Sequence, residues 1–170
     1  MSLSIRADMS AVHAVLDQLC DPEIPVVSLR EMGILREVYI SDTGVEVVIT
    51  PTYSGCPAME QIHDDILQSL HQLGVQGQVK TQLAPAWTTD WMSSSAKEKL
   101  RAYGIAPPNC QSTNSSQVVR FTRRLQDDAI ACPRCGSSNT TITSAFGSTA
   151  CKALCKCLNC QEPFDYFKPY

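Results

Sequence analysis

Val12, Val15, Leu16 and Leu19 recur at helical spacing over residues 9–19, with Asp8 or Ser10 placed to cap the start. A first helix is predicted there, ending at Asp21-Pro22. The stretch DPEIPVVSLREMG that follows carries two prolines and reads as an irregular loop. ILREVYIS and GVEVVITPT then alternate apolar and polar residues around Asp42-Thr43-Gly44, which predicts a β-hairpin. From Pro57 to Leu73 the apolar residues Met59, Ile62, Ile66, Leu70 and Leu73 share one helical face, with Gly74 as the C-terminal stop. QVKTQLAP predicts a third strand, and residues 93–103 a short helix between Ser93–Ser95 and Gly104. The order α-β-β-α-β-α makes the front of the chain a small α/β (α+β) domain.

Beyond Pro107-Pro108 the pattern stops. APPNCQSTNSSQ is polar and without periodicity, so residues 106–119 are expected to be a linker between a first domain at 1–105 and a second at 120–170. The 170 residues suffice for one medium core and a small appendage.

The second domain announces its chemistry by spacing. CPRC at 132–135 and CLNC at 157–160 are two CxxC knuckles, close to the pattern of a structural four-thiolate metal site. Cys132, Cys135, Cys157 and Cys160 can occupy the corners of a tetrahedron with no position left for water or substrate, which is a structural arrangement. The intervening β-branched residues predict a zinc ribbon. Rubredoxin-like iron is the competing occupant: CPRCG imitates such a site, whereas CLNCQ lacks the glycine. Cys151 and Cys155 in CKALCKC read as small buried or surface residues, with Cys155 or Cys151 as a substitute for Cys157 the alternative.

Composition narrows the rest. A formal charge of −3 with no run of basic residues beyond a pair, RFTRR being followed at once by Asp127 and Asp128, argues against nucleic acid as a partner. Neither a signal-like segment nor an apolar run of membrane length is present, so no membrane association and a cytoplasmic location are expected. Nine cysteines, an odd number, then point to a reducing compartment and a metal.

Cys56, between Gly55 and Pro57, stands where strand pattern gives way to helix pattern. If the helix begins at Pro57, Cys56 is its N-cap, where unpaired N–H groups and the helix dipole favour a thiolate. A depressed thiol pKa is the expectation. His63 lies about two turns further on, too far to serve as its base, so Cys-His nucleophilic catalysis finds no support. Asp21 and Glu23 read first as turn-forming carboxylates and second as an acid-base pair.

DPEIPVVSLREMGIL followed by a hairpin ending in TPTYSGCPAMEQIHDDI resembles the SufT-like iron-sulfur assembly domain over about residues 8–85. The resemblance implies a compact α/β domain in which Cys56, and Asp21 in the DPE-like loop, handle iron or a cluster. Because one thiol per chain cannot complete four-fold ligation, a homodimer bridging one cluster is one arrangement that satisfies it.

With WTTDWM and the ribbon added, nearly the whole chain is similar to the D proteins of bacterial phenylacetate-degradation clusters. That likeness implies an accessory or maturation factor for the multicomponent phenylacetyl-CoA ring epoxidase, a monooxygenase. Its partners would be subunits of that complex, including the reductase, and its cofactors structural Zn2+ and a transient iron-sulfur cluster. Nothing in the chain resembles the Glu-x-x-His helices of a di-iron bundle or a GxGxxG loop, so it is not expected to be an enzyme itself. The alternative is a structural or electron-transfer subunit of the oxygenase, with redox-active iron in the four-cysteine site.

Overall fold

The computed structural model describes residues 8–108 and 130–170, and the chain divides into two compact units, up to Lys99 and from Leu100 onward. The RFTRR run, Cys110 and most of the expected linker lie outside the described residues.

In the first unit, α1 (Met9–Leu16) starts as its sequence dictates, Asp8 accepting a hydrogen bond from the Ser10 amide at 3.0 Å. It stops earlier than its apolar pattern suggested, residues 17 and 18 forming a turn. The segment expected to be irregular instead pairs with itself: β1 (Cys20–Asp21) and β2 (Ile24–Ser28) form a two-stranded sheet. Pro25 is tolerated because it lies exposed in a strand with one partner.

The hairpin is present as β3 (Leu35–Ser41) and β4 (Gly44–Ile49), closed by Asp42-Thr43 with Ser41 opposite Gly44. Next comes α2 (Ala58–Gln72), which returns the chain so that β5 (Gly77–Thr81) lies parallel to β4. A parallel neighbour requires such a crossover. Ile62, Ile66 and Leu70 bury the inner face of α2, while Leu73, read as part of that face, is 37% exposed. α2 packs on β5 and α1 packs on α2, and Val45, Val47 and Ile49 of β4 are fully buried.

A 3-10 turn (Thr89–Trp91) precedes α3 (Ser94–Tyr103), whose cap is Ser93, its hydroxyl accepting the Ala96 amide at 3.0 Å. Trp87 is buried and its indole N–H donates to the Met32 carbonyl at 3.0 Å.

The second unit holds a four-stranded sheet in the order β6-β9-β8-β7, made of β6 (Ile105–Ala106), β7 (Thr140–Ser144), β8 (Lys152–Cys157) and β9 (Pro163–Phe167). β7, β8 and β9 are antiparallel, and β6 adds to β9 in parallel. Ala106, where the linker was expected to start, is therefore a strand residue opposite Tyr166. Ala106, Ile130, Ala153, Phe164 and Tyr166 close a core with the sulfur-bearing residues Cys132, Cys155 and Cys157. The fold class is mixed α/β, with a separate four-stranded sheet at the C-terminus.

Candidate functional site

Cys132, Cys135, Cys157 and Cys160 converge at one end of the ribbon, their sulfurs all within 4.8 Å of one another. Cys132 and Cys160 sulfurs are 3.8 Å apart, and those of Cys135 and Cys157 are 3.5 Å apart. A tetrahedral ion with metal–sulfur bonds of about 2.3 Å spaces its ligands about 3.8 Å apart, so the donor set fits a four-thiolate metal. Such an ion, when bound, supplies cross-linking of the two knuckles and no open coordination position.

The backbone makes the knuckles alike. Gly136 and Gln161 follow their second cysteines at φ +75° and +64°. Gln161 thus takes the left-handed turn that glycine takes in the first knuckle, so its missing glycine does not separate zinc from iron by geometry. The two knuckles are stitched together by Leu158 N–H to the Asn139 carbonyl at 2.8 Å and by Asn139 Nδ2 to Asn159 Oδ1 at 3.1 Å.

The N–H of Cys160 donates to the Cys157 sulfur at 3.5 Å. This N–H, followed by that of Asn159 and the neighbouring thiols, pulls the Cys157 thiol down to about 6 against its burial. Hydrogen bonds of this kind favour the thiolate form that a metal ligand takes.

Cys151 and Cys155 belong to the ribbon core and stand outside the metal-ligating group. Cys155 is fully buried, and that burial, with the Asp165 carboxylate, pushes its thiol up to about 11. Such a sulfur packs and does not react. Lys152, which the sequence did not single out, is buried beside Asp165, Nζ to Oδ2 4.0 Å. Its place follows from the register of β8 on β9.

At Cys56 the structure corrects the expectation. α2 begins at Ala58 with Pro57 in the cap position, so Cys56 precedes the helix. Its thiol pKa is raised: burial leads, the Ala58 N–H works the other way, and the carboxylates of Glu23 and Asp21 add to the rise. Desolvation and two carboxylates remote in sequence outweigh the amide at the helix start, and neither shows in the local sequence. Asp21 and Cys56 are brought into electrostatic range, as are Glu23 and Tyr53. The buried Asp21 carboxylate accepts the amides of Glu23 at 2.8 Å and Ile24 at 3.2 Å, a turn-closing use.

Among the described residues the ribbon thiols form the group able to hold an ion, and Cys56 and Asp21 are in no such group. His63 is half-exposed and pairs with Asp64 at 3.2 Å. A groove of about 400 Å³ lined by Met59, Glu60, His63, Asp64 and Thr81 runs beside α2 without including Cys56. His13 lies against Arg30, Nδ1 to Nη2 3.1 Å.

Comparison with known proteins matches each part of the chain to a family. Residues 9–81 match the family described as "Iron-sulfur cluster assembly protein", and residues 116–168 the family described as "PaaD zinc beta ribbon domain". A protein of Escherichia coli (strain K12), named as the D component of a "Putative 1,2-phenylacetyl-CoA epoxidase", is 46% identical over 158 residues, covering 92% of this chain and 90% of that protein. The chain belongs to the PaaD family. An "Fe-S protein maturation auxiliary factor" of Porphyromonas gingivalis is 36% identical over 90 residues, 51% of this chain and 84% of that protein. The crystal structure of a DUF59 domain from Bacillus anthracis aligns with TM-score 0.49 and 26% identity, covering 54% of this chain and 89% of that one. In this PaaD chain, then, an assembly domain and a zinc ribbon are joined, and no helix among the described residues is long and apolar enough to cross a membrane.

Proposed function

We propose that this protein is a non-catalytic maturation factor that helps install iron or iron-sulfur centres in a phenylacetyl-CoA epoxidase system, with Cys56 as the cargo-handling thiol and Asp21 beside it. The observation that carries this reading is the pairing, in one chain, of a cluster-assembly domain with a loop cysteine and a ribbon whose four thiols are already committed to each other. The ribbon's resident ion is zinc in this reading, which its β-ribbon family supports. Four protein thiolates around zinc leave nothing for chemistry, so the ribbon supports the fold and offers a surface to partners.

Cys56 differs in belonging to no group of three or more ligating side chains among the described residues. A single sulfur cannot retain a cluster, so cargo carried there takes its remaining ligands from a client protein or from a second copy of this chain. Incomplete ligation suits a protein that passes metal on. The partners are subunits of the epoxidase complex, its reductase among them, and the setting is the cytoplasm.

The test compares clients matured with and without this chain. Epoxidase subunits and reductase are purified without oxygen from cells having or lacking it, and iron and sulfide are measured per polypeptide. The reading expects depleted centres at normal polypeptide levels in its absence. Equal iron and sulfide content in the two preparations overturns it.

A further inference from the structure

Glu31 is fixed through both its main chain and its side chain. Its N–H donates to Ser28 Oγ at 3.2 Å and its carbonyl accepts the Ser93 N–H at 2.9 Å. Its carboxylate accepts the Ser28 amide at 3.0 Å, the Ser95 hydroxyl at 2.8 Å and the Lys99 ammonium at 2.8 Å. Three donors on two oxygens leave the carboxylate one orientation.

The element it grips is anchored by its buried side chains, Ile24 and Val27 among them, and not by pairing with the main sheet. β1 and β2 form a sheet of their own, separate from the three strands of the hairpin sheet. A two-stranded ribbon is marginal without external support. Ser28, which Glu31 holds, is opposite Cys20, the residue before Asp21. A second fastening acts on the same segment: the Trp87 N–H reaches the Met32 carbonyl, and Gly33 passes so near Trp91 that a Cβ there would lie 2.7 Å from the Trp91 Cβ. The bulge at Arg36 lets its guanidinium stack over the Trp91 ring, 3.6 Å from the centroid.

We propose that Glu31 is a positioning residue of the Cys56 site: by tying α3 to the end of β2 it holds the β1–β2 ribbon, and with it Asp21 and Glu23, within electrostatic range of the Cys56 sulfur. The functional weight of this proposal rests on the reading of Cys56 as the cargo-handling thiol. Two carboxylates near one sulfur make a local negative field that draws cations in and turns anions away. Residues beyond the matched assembly segment 9–81 thereby set the charge seen by whatever approaches Cys56.

The field is measured by alkylating the full-length, metal-loaded protein with iodoacetate, an anion, and with iodoacetamide, its neutral counterpart, and reading modification at Cys56 by peptide mass spectrometry. The ratio of the two rates cancels thiol ionisation and reports local charge. In the wild type it lies below the ratio for a small free thiol, and Asp21→Asn raises it. Glu31→Ala and Lys99→Met are expected to raise it at least about threefold, with Lys99→Arg restoring the wild-type value. Glu31→Gln, which keeps an acceptor, serves if Glu31→Ala does not fold, and is expected to raise the ratio less. Unchanged ratios in the folded Glu31 and Lys99 variants, with only a lower melting temperature, overturn the proposal and leave Glu31 as fold support. A raised ratio in Glu31→Ala with client iron content intact upholds the positioning and counts against the cargo-handling reading instead.

Discussion

The backbone N–H of Cys160 points at the sulfur of Cys157 from 3.5 Å, so one corner of the ribbon's metal site is electrostatically prepared before an ion arrives. Cys132 and Cys157 lie in the ribbon core with Phe164 and Tyr166, and Cys160 packs against it, so metal binding and folding are one process in this unit. Cys160→Ser, or Ser at Cys132, Cys135 or Cys157, is expected to release about one zinc per chain and to unfold the ribbon while α1, α2 and the hairpin persist. Metal content by plasma emission and amide spectra of the two units check this. Full zinc occupancy in Cys160→Ser would show that the ligand set is another.

Acid should reach the first unit through Glu31. Burial pushes its carboxyl up, but hydrogen bonds from Lys99, the Ser28 amide and Ser95 outweigh it and bring the carboxyl down to about 2 from 4.5. A folded pKa below the unfolded one gives stability that is present above about 4.5 and is lost as pH falls toward 2. The full difference corresponds to about 3 kcal/mol before solvent screening through the exposed Lys99 partner, and to less after it. Urea unfolding of the first unit followed from pH 5 to pH 2 should show this loss in the wild type and a flatter profile in Glu31→Gln, which is also less stable at pH 7.

Cys56 should be a slow thiol near neutrality. Burial, and after it the charges of Glu23 and Asp21, hold its pKa above the ordinary thiol value, so alkylation by a neutral reagent should reach half its plateau rate at a higher pH than for an ordinary exposed thiol. Asp21→Asn removes one opposing charge and should move the midpoint to lower pH. A midpoint near 7 in the wild type would restore the helix-cap thiolate that the sequence had suggested.

Local signals were legible in the sequence because each element's own residues decide them. The Asp8 cap, the Asp42-Thr43 hairpin turn, the Ile62–Ile66–Leu70 face and the two CxxC knuckles all stand where spacing put them. Pairings between distant segments were not legible. The β1–β2 ribbon hid behind two prolines, the parallel approach of β5 to β4 depends on how α2 crosses back, and β6 gains strand geometry only from β9. The same cause governs Cys56, whose burial by the folded unit, and after it the charges of Glu23 and Asp21, no local pattern announces. At Gln161 the departure is conformational, a left-handed backbone at a residue that does not advertise one.

The central claim is that Cys56 serves the client and not the fold, and its most direct measurement is client iron in cells expressing Cys56→Ser at matched protein level. Serine is close in size to cysteine, and the sulfur lies outside the ribbon core, so fold and ribbon zinc should be unchanged. The predicted result is a phenylacetyl-CoA epoxidase system whose reductase is depleted in [2Fe-2S] centre, or whose catalytic subunits are short of iron, although every polypeptide is present in normal amount. Wild-type iron and sulfide content in that strain, with wild-type growth on phenylacetate, would contradict the account.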